Sequence, residues 1–185
     1  MRILFLKLAA VTAILLTINC SNKDRSNSTN LQFYQELSYL MLAQLESEDH
    51  LLDIKVTTED SSSFSKEIET LPKFVFFHSE LDCNSCVEED ITLINDFSND
   101  IGSKNIILLA SYNNKRDLHL FRRINKINSF IYNTASVGLP IEELNLPFCF
   151  VINKNFKSEC VFIPLKEDKS NFKRYLKIIK EKYFN

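Results

Sequence analysis

The chain has no tryptophan, two glycines and four prolines in 185 residues. So few glycines exclude a glycine-rich phosphate loop, which needs several at close spacing. His50, His78 and His119 are the only histidines. They form neither an H-E-x-x-H pair nor a Ser-His-Asp grouping, so no zinc-peptidase helix or hydrolase triad is expected. Basic charge shows no excess. The 22 Lys and Arg stand against 24 Asp and Glu, a formal charge of −2, so a nucleic-acid surface is not expected. There are no internal repeats. No metal set or cofactor is expected, and the chain is expected to be a monomer.

What is present starts at the first residue. Arg2 and Lys7 supply positive charge around an apolar run, Leu8 to Ile18, of signal-peptide length and too short for a comfortable membrane span. The run stops at Asn19-Cys20, and Ser21 to Asn30 is polar and turn-prone. An apolar run ending in one cysteine and followed by a polar tether resembles a bacterial lipoprotein signal. The resemblance implies a signal over residues 1–20, with Cys20 becoming the lipid-bearing first residue of the mature protein. It also implies a flexible tether over 21–30 and a location in the cell envelope, facing the periplasm or on the outer membrane. Thr17-Ile18-Asn19 departs from the pattern, which usually has Leu three residues before the cysteine. An uncleaved N-terminal anchor is the other reading.

Four cysteines remain: Cys83, Cys86, Cys149 and Cys160. An exported location permits disulfides. Cys83 and Cys86 end the stretch Lys73-Phe-Val-Phe-Phe-His-Ser-Glu-Leu-Asp-Cys-Asn-Ser-Cys86, the most informative in the chain. It reads as a buried strand, a polar turn over His78 to Asp82, and a C-x-x-C pair where a helix begins. Three-residue spacing brings both sulfurs to one helical face, close enough for a disulfide. Free N–H groups and partial positive charge at a helix start favour thiolate over thiol. The pair reads as a redox dithiol, a structural disulfide, or half of a zinc site whose other ligands would have to lie nearby. Cys149 and Cys160 read as small buried hydrophobes, or as a disulfide if their registers across a hairpin coincide.

The rest of the chain supplies the frame. Leu31 to Glu48 has apolar residues at helical spacing, so residues 31–50 are read as an N-terminal helix ahead of a domain over 51–185. Leu51 to Val56 alternates like a strand, and Phe64 to Leu71 is a short helix. The run Lys73 to His78 is apolar on both faces, as in a strand covered on two sides. A helix to about Asp100 follows, with Val87, Ile91, Ile94 and Phe97 inward. Glu88, Glu89 and Asp90 lie in its first turns, where acids suit the helix dipole. Asn105 to Ala110 is a second buried strand. A helix from Asn113 or Asn114 runs to about Ile127, and Phe130 to Tyr132 is a candidate short strand. Pro147 to Ile152 and Cys160 to Ile163 form an antiparallel hairpin, and a last helix ends near Tyr183. Alternating strands and helices imply an α/β fold, with a parallel core and an antiparallel hairpin at one edge.

This order resembles the thioredoxin fold, over roughly Leu51 to Phe184. Leu146-Pro147-Phe148 stands where that family places a cis-proline facing the two cysteines. Together with the leader, the chain is most similar to the envelope-tethered, TlpA-like thiol-disulfide oxidoreductases found in Bacteroidetes. The resemblance implies Cys83 as nucleophile and Cys86 as resolving thiol, with protein thiols or disulfides and an electron donor as partners. Pro147 and the Leu146 backbone would shape a substrate groove, and Asp82, Asn84 and Ser85 would tune the potential. Several features depart from the family. Asp82 replaces the usual Trp before the first cysteine, and Asn84-Ser85 replace Gly-Pro. Phe77 replaces a buried Asp. Negative charge at Glu80, Asp82, Glu88 and Glu89 opposes the helix effect on Cys83. A peroxiredoxin-like peroxidase is not expected, because no Pro-x-x-x-Thr-x-x-Cys precedes Cys83. The competing reading is a non-catalytic envelope protein in which the pair is a staple.

Overall fold

The computed structural model describes residues 31–82, 84–166 and 169–185, with residues 84–86 as backbone only. The leader, Cys20, the tether and Cys83 therefore lie outside the described residues. The chain divides into two units, Met1–Met41 and Leu42–Asn185. Residues 31–46 are helical (α1), within the predicted Leu31–Glu48. In the first unit α1 exposes Leu31, Phe33, Tyr34 and Met41.

The second unit is built on a five-stranded sheet ordered β3-β2-β1-β4-β5. In chain order it contains α2 (Ser61–Ile68), β1 (Lys73–Ser79), α3 (Asn84–Ile101), β2 (Ile106–Ser111), α4 (Lys115–Ile124) and β3 (Phe130–Asn133). β4 (Phe148–Ile152), β5 (Ser158–Phe162) and α5 (Lys169–Tyr183) complete it. β1, β2 and β3 pair in parallel, while β4 runs antiparallel to both β1 and β5. The predicted parallel core with an antiparallel hairpin is present.

Burial explains which residues became strands. Phe74 to Phe77 and Ile106 to Ala110 are buried on both faces, as continuous apolar runs in parallel strands must be. One face packs Phe74, Phe76 and Cys149 against Val87, Ile91, Ile94 and Phe97 of α3 and Phe172, Leu176 and Ile179 of α5, with Phe121 of α4 at the margin. On the opposite face Phe64 of α2 meets Tyr132 of β3 edge-on at 5.3 Å.

One expectation is corrected. Leu51 to Val56 is no strand of the sheet. It makes isolated bridges, Leu51 to Lys157 beside β5 and Val56 to Thr134 beside β3. The segment reaches both edges, so its hydrogen bonds go to loops rather than to one ladder. Phe130–Asn133, the candidate short strand, is present and forms the sheet edge beside β2. The free edge of β5 is covered. Glu48 accepts from the backbone N–H of Cys160 (2.9 Å) and Val161 (2.6 Å), and Gln44 from that of Ile163. Blocking an edge in this way prevents strand-to-strand association.

Candidate active site

The site grows from the end of β1. After Ser79 the chain makes a tight turn in which Ser79 N–H donates to Asp82 Oδ2 at 2.7 Å and Asp82 N–H returns to Ser79 O at 3.1 Å. Leu81 N–H donates to Ser79 Oγ. Glu80 fixes the turn laterally, donating its N–H to Ser111 O and accepting from Asn113 N–H and Nδ2. These acids therefore have structural work at the turn. Burial raises the Asp82 carboxyl above its ordinary range, against the lowering effect of the Ser79 hydrogen bond.

Cys83 follows at once and lies outside the described residues. Asn84, Ser85 and Cys86 occupy the first turn of α3. The turn thus leads to a helix start at Asn84, beyond the carboxyl end of β1, where unpaired N–H groups gather.

β4 begins beside this point. Phe148 pairs with Phe77 in register, their ring centroids 5.0 Å apart. Pro147, buried, thus stands at the level of His78. Leu146 is partly exposed and shares a cleft of about 300 Å³ with Phe77, Ser79, Asp82, Ala135 and Asn145. Leu146 and Asp82, predicted as groove and tuning residues, are thereby brought together. The expected cis imide is not found. The only cis peptide bond among the described residues is Leu71–Pro72, so Leu146–Pro147 is trans. The chain turns into β4 through Asn145, which adopts the left-handed conformation (φ 51°, ψ 46°) at the end of a short helix, as Asn tolerates better than most residues.

His78 is not in the turn, as its polarity suggested. It belongs to β1, 1% exposed, with its ring against Phe121 (4.6 Å), Tyr112 (5.6 Å) and Phe76 (5.8 Å). Nε2 has no hydrogen-bond partner. Burial lowers its pKa to about 4, so the imidazole is neutral at physiological pH.

Two further side chains were not singled out by sequence. Asp90 of α3 is completely buried, and its Oδ1 accepts from Lys169 Nζ at 2.6 Å while Oδ2 is unpartnered. Burial raises its pKa to about 6, Lys169 opposing and the charge of Glu89 assisting. A signal existed: position 90 falls within the stripe of Val87, Ile91 and Ile94, at spacing that faces the core. Lys73 is also buried, bonded to Lys104 O and 3.6 Å from Glu67.

Cys149 and Cys160 are both free thiols, so the possible hairpin disulfide is not present. Their registers do not coincide. Cys149 pairs with Phe162, and Cys160 sits at an irregularity of the ladder with φ 54°. Burial pushes the Cys149 thiol well above its usual range, with the Asp90 charge adding to it. No group of three or more His, Cys, Asp or Glu suited to a metal occurs among the described residues.

No family model matches the chain, and no curated protein matches it. Among solved structures, one described as a thiol:disulfide interchange protein, DsbE, from Chlorobium tepidum superposes with a TM-score of 0.51 at 10% identity. The match covers 72% of this chain and 96% of that one. A thioredoxin-family thiol:disulfide interchange protein from Chlorobium tepidum TLS gives 0.44 at 16% identity, covering 71% and 95%. StoA from Bacillus subtilis gives 0.39 at 18%, covering 58% and 85%. The sheet order, flanking helices and first of these likenesses define a class, the α/β proteins with a strand–turn–helix at the carboxyl edge of a mixed sheet. Within that class the fold is thioredoxin-like.

Proposed function

We propose that the protein is a thiol-disulfide oxidoreductase that exchanges the Cys83–Cys86 dithiol and disulfide with protein thiols in the cell envelope, held there by a lipid on Cys20. The observation that carries this reading is that the turn after β1 leads into α3 at Asn84, within the C-x-x-C stretch of the sequence, and that Leu146 and Asp82 share a cleft at that turn. The interchange proteins of similar fold lend it support.

The chemistry follows from the arrangement. Cys83, as thiolate, attacks one sulfur of a substrate disulfide, and the other sulfur leaves as a thiolate. Cys86 then attacks Cys83, and the mixed disulfide breaks. The substrate departs reduced by two electrons and the enzyme keeps a Cys83–Cys86 disulfide. A thiol-bearing partner restores the dithiol by the reverse exchange. Leu146, at the cleft edge, offers its backbone to an extended substrate segment. Asp82, Asn84 and Ser85 surround Cys83 in the chain and set the potential.

The test is the reduction potential of the pair in a glutathione series, together with insulin reduction by the wild type and Cys83→Ser. The expected result is turnover that the substitution abolishes, with a potential in the range of exchanging dithiols. A potential below about −300 mV without turnover would make the pair a structural staple.

A further inference from the structure

One helix leaves its large apolar side chains in the open. In α1 Leu31, Tyr34, Met41, Leu42 and Leu45 are each more than half exposed. Single apolar residues on a surface are ordinary, but a contiguous exposed run of them marks a contact. These five form such a run. Intervals of three, seven and four residues separate Leu31, Tyr34, Met41 and Leu45, which keeps them on one helical face, with Leu42 beside them. That stripe is not the face that packs within the second unit. There Ala43 and Ser47 are buried, and Ser47 Oγ accepts from Ile141 N–H at 3.0 Å, while Leu45 stays exposed.

The chain ahead of α1 says what covers the stripe. Cys20, the proposed point of attachment, precedes Leu31 by eleven residues. Eleven residues reach at most about 40 Å, so α1 cannot leave the neighbourhood of a bilayer that holds Cys20. Tethering over so short a span gives an effective concentration of about the millimolar level. An interaction too weak to recruit a free protein is then populated.

The composition of the helix fits the same surface. Residues 31–48 contain Glu36, Glu46 and Glu48 but no Lys or Arg. Attraction to anionic headgroups therefore plays no part, and apolar burial must drive the contact. Phe33, Tyr34 and Tyr39 are exposed as well, and aromatic rings favour the level of the headgroups. The helix is not long and apolar enough to cross a membrane.

We propose that α1 lies along the membrane surface that holds Cys20, with its apolar stripe sunk to the boundary between headgroups and acyl chains. This rests on the attachment proposed above and adds to it. The lipid limits how far the chain strays, and α1 supplies a second, weaker and reversible hold.

The absence of tryptophan provides the probe. Tyr34→Trp gives the full chain a single indole. The protein, purified from the membranes of a bacterial host, is reconstituted into phosphatidylcholine vesicles with and without bromine on the acyl chains. Brominated lipid should remove most of the emission, and raised salt should leave that quenching in place. Adding Leu31→Gln, Met41→Gln and Leu45→Gln keeps good helix formers at exposed positions. That variant should still float with the vesicles, with an unchanged circular dichroism melt, and lose the quenching. A wild-type stripe that floats with the vesicles but is not quenched would overturn the proposal. Cross-links joining two chains near position 34 would then give the stripe to a second copy of this chain. Should the full chain fail to float with the vesicles at all, the attachment reading falls and this inference with it, so flotation tells the two failures apart.

Discussion

His78 and Asp90 each keep one polar atom buried without a partner, yet their consequences for stability run in opposite directions. The His78 pKa lies near 4 in the fold, against 6.5 for the ordinary side chain. The folded protein therefore resists a proton that the unfolded chain accepts. Stability linked to His78 is complete above pH 6.5 and is lost as pH falls toward 4. A shift of this size corresponds to about 3 kcal/mol. Asp90 has a raised pKa, near 6. The folded protein holds its proton longer, so stability linked to Asp90 falls as pH rises from about 4 to 6. Urea melts across pH 3.5 to 7.5 separate the two. Relative to wild type, His78→Phe should gain about 3 kcal/mol as pH falls through this window, and Asp90→Asn should gain as pH rises through it. A constant offset for either variant would show that its side chain does not titrate as described. Polarity in the sequence pointed His78 to a turn, and Asp90 was read only as an acid suiting the start of a helix. In both cases the neighbouring apolar residues prevailed, drawing the polar side chain into the core with them.

At the scale of elements, the sheet depends on how its edges are closed. The backbone N–H groups of Cys160 and Val161 would face solvent or another strand without Glu48. Removing the carboxylate strands two donors, one of them at a short 2.6 Å contact. Glu48→Ala should lower stability by about 1–3 kcal/mol and promote self-association on warming, read by chemical denaturation and light scattering. Glu48→Gln keeps an acceptor and should lose less. This strap was not visible in the sequence, because a glutamate after a helix looks like any solvated acid until the strand it meets is placed. The central strands were legible: Phe74 to Phe77 and Ile106 to Leu109 are continuous apolar runs that only a doubly covered strand accommodates. Phe130–Asn133 is short and only partly buried, so its pattern was faint. Leu51 to Val56 alternates correctly, but alternation records burial and cannot say which strand lies alongside. The helix start after Asp82 followed from spacing, and the neighbourhood of Leu146 from the resemblance to the thioredoxin fold. The isomer at Pro147 did not, since a proline admits both forms and the preceding turn decides between them.

For the whole molecule, the proposed function calls for attachment to a membrane. No helix of the described residues is long and apolar enough to cross one. Attachment, on the reading proposed here, falls to the first thirty residues, where Leu8 to Ile18 and Cys20 lie. The two candidate devices differ in what they require of Cys20. A lipid needs its sulfur, and a single acyl chain holds only weakly, so stable attachment calls for more than one chain. An uncleaved apolar anchor does not need the sulfur at all. Expressed in a bacterial host, the wild type should incorporate labelled palmitate and sediment with membranes after an alkaline wash. Cys20→Ala should lose the label and move to the soluble fraction, or accumulate as a slower-migrating form that retains residues 1–20. Insulin reduction by the purified Cys20→Ala protein should match wild type, since the substitution removes a tether and leaves the sheet edge alone. An unlabelled wild type, sedimenting as firmly as Cys20→Ala, would assign attachment to the apolar run instead, and the dithiol chemistry would stand unchanged.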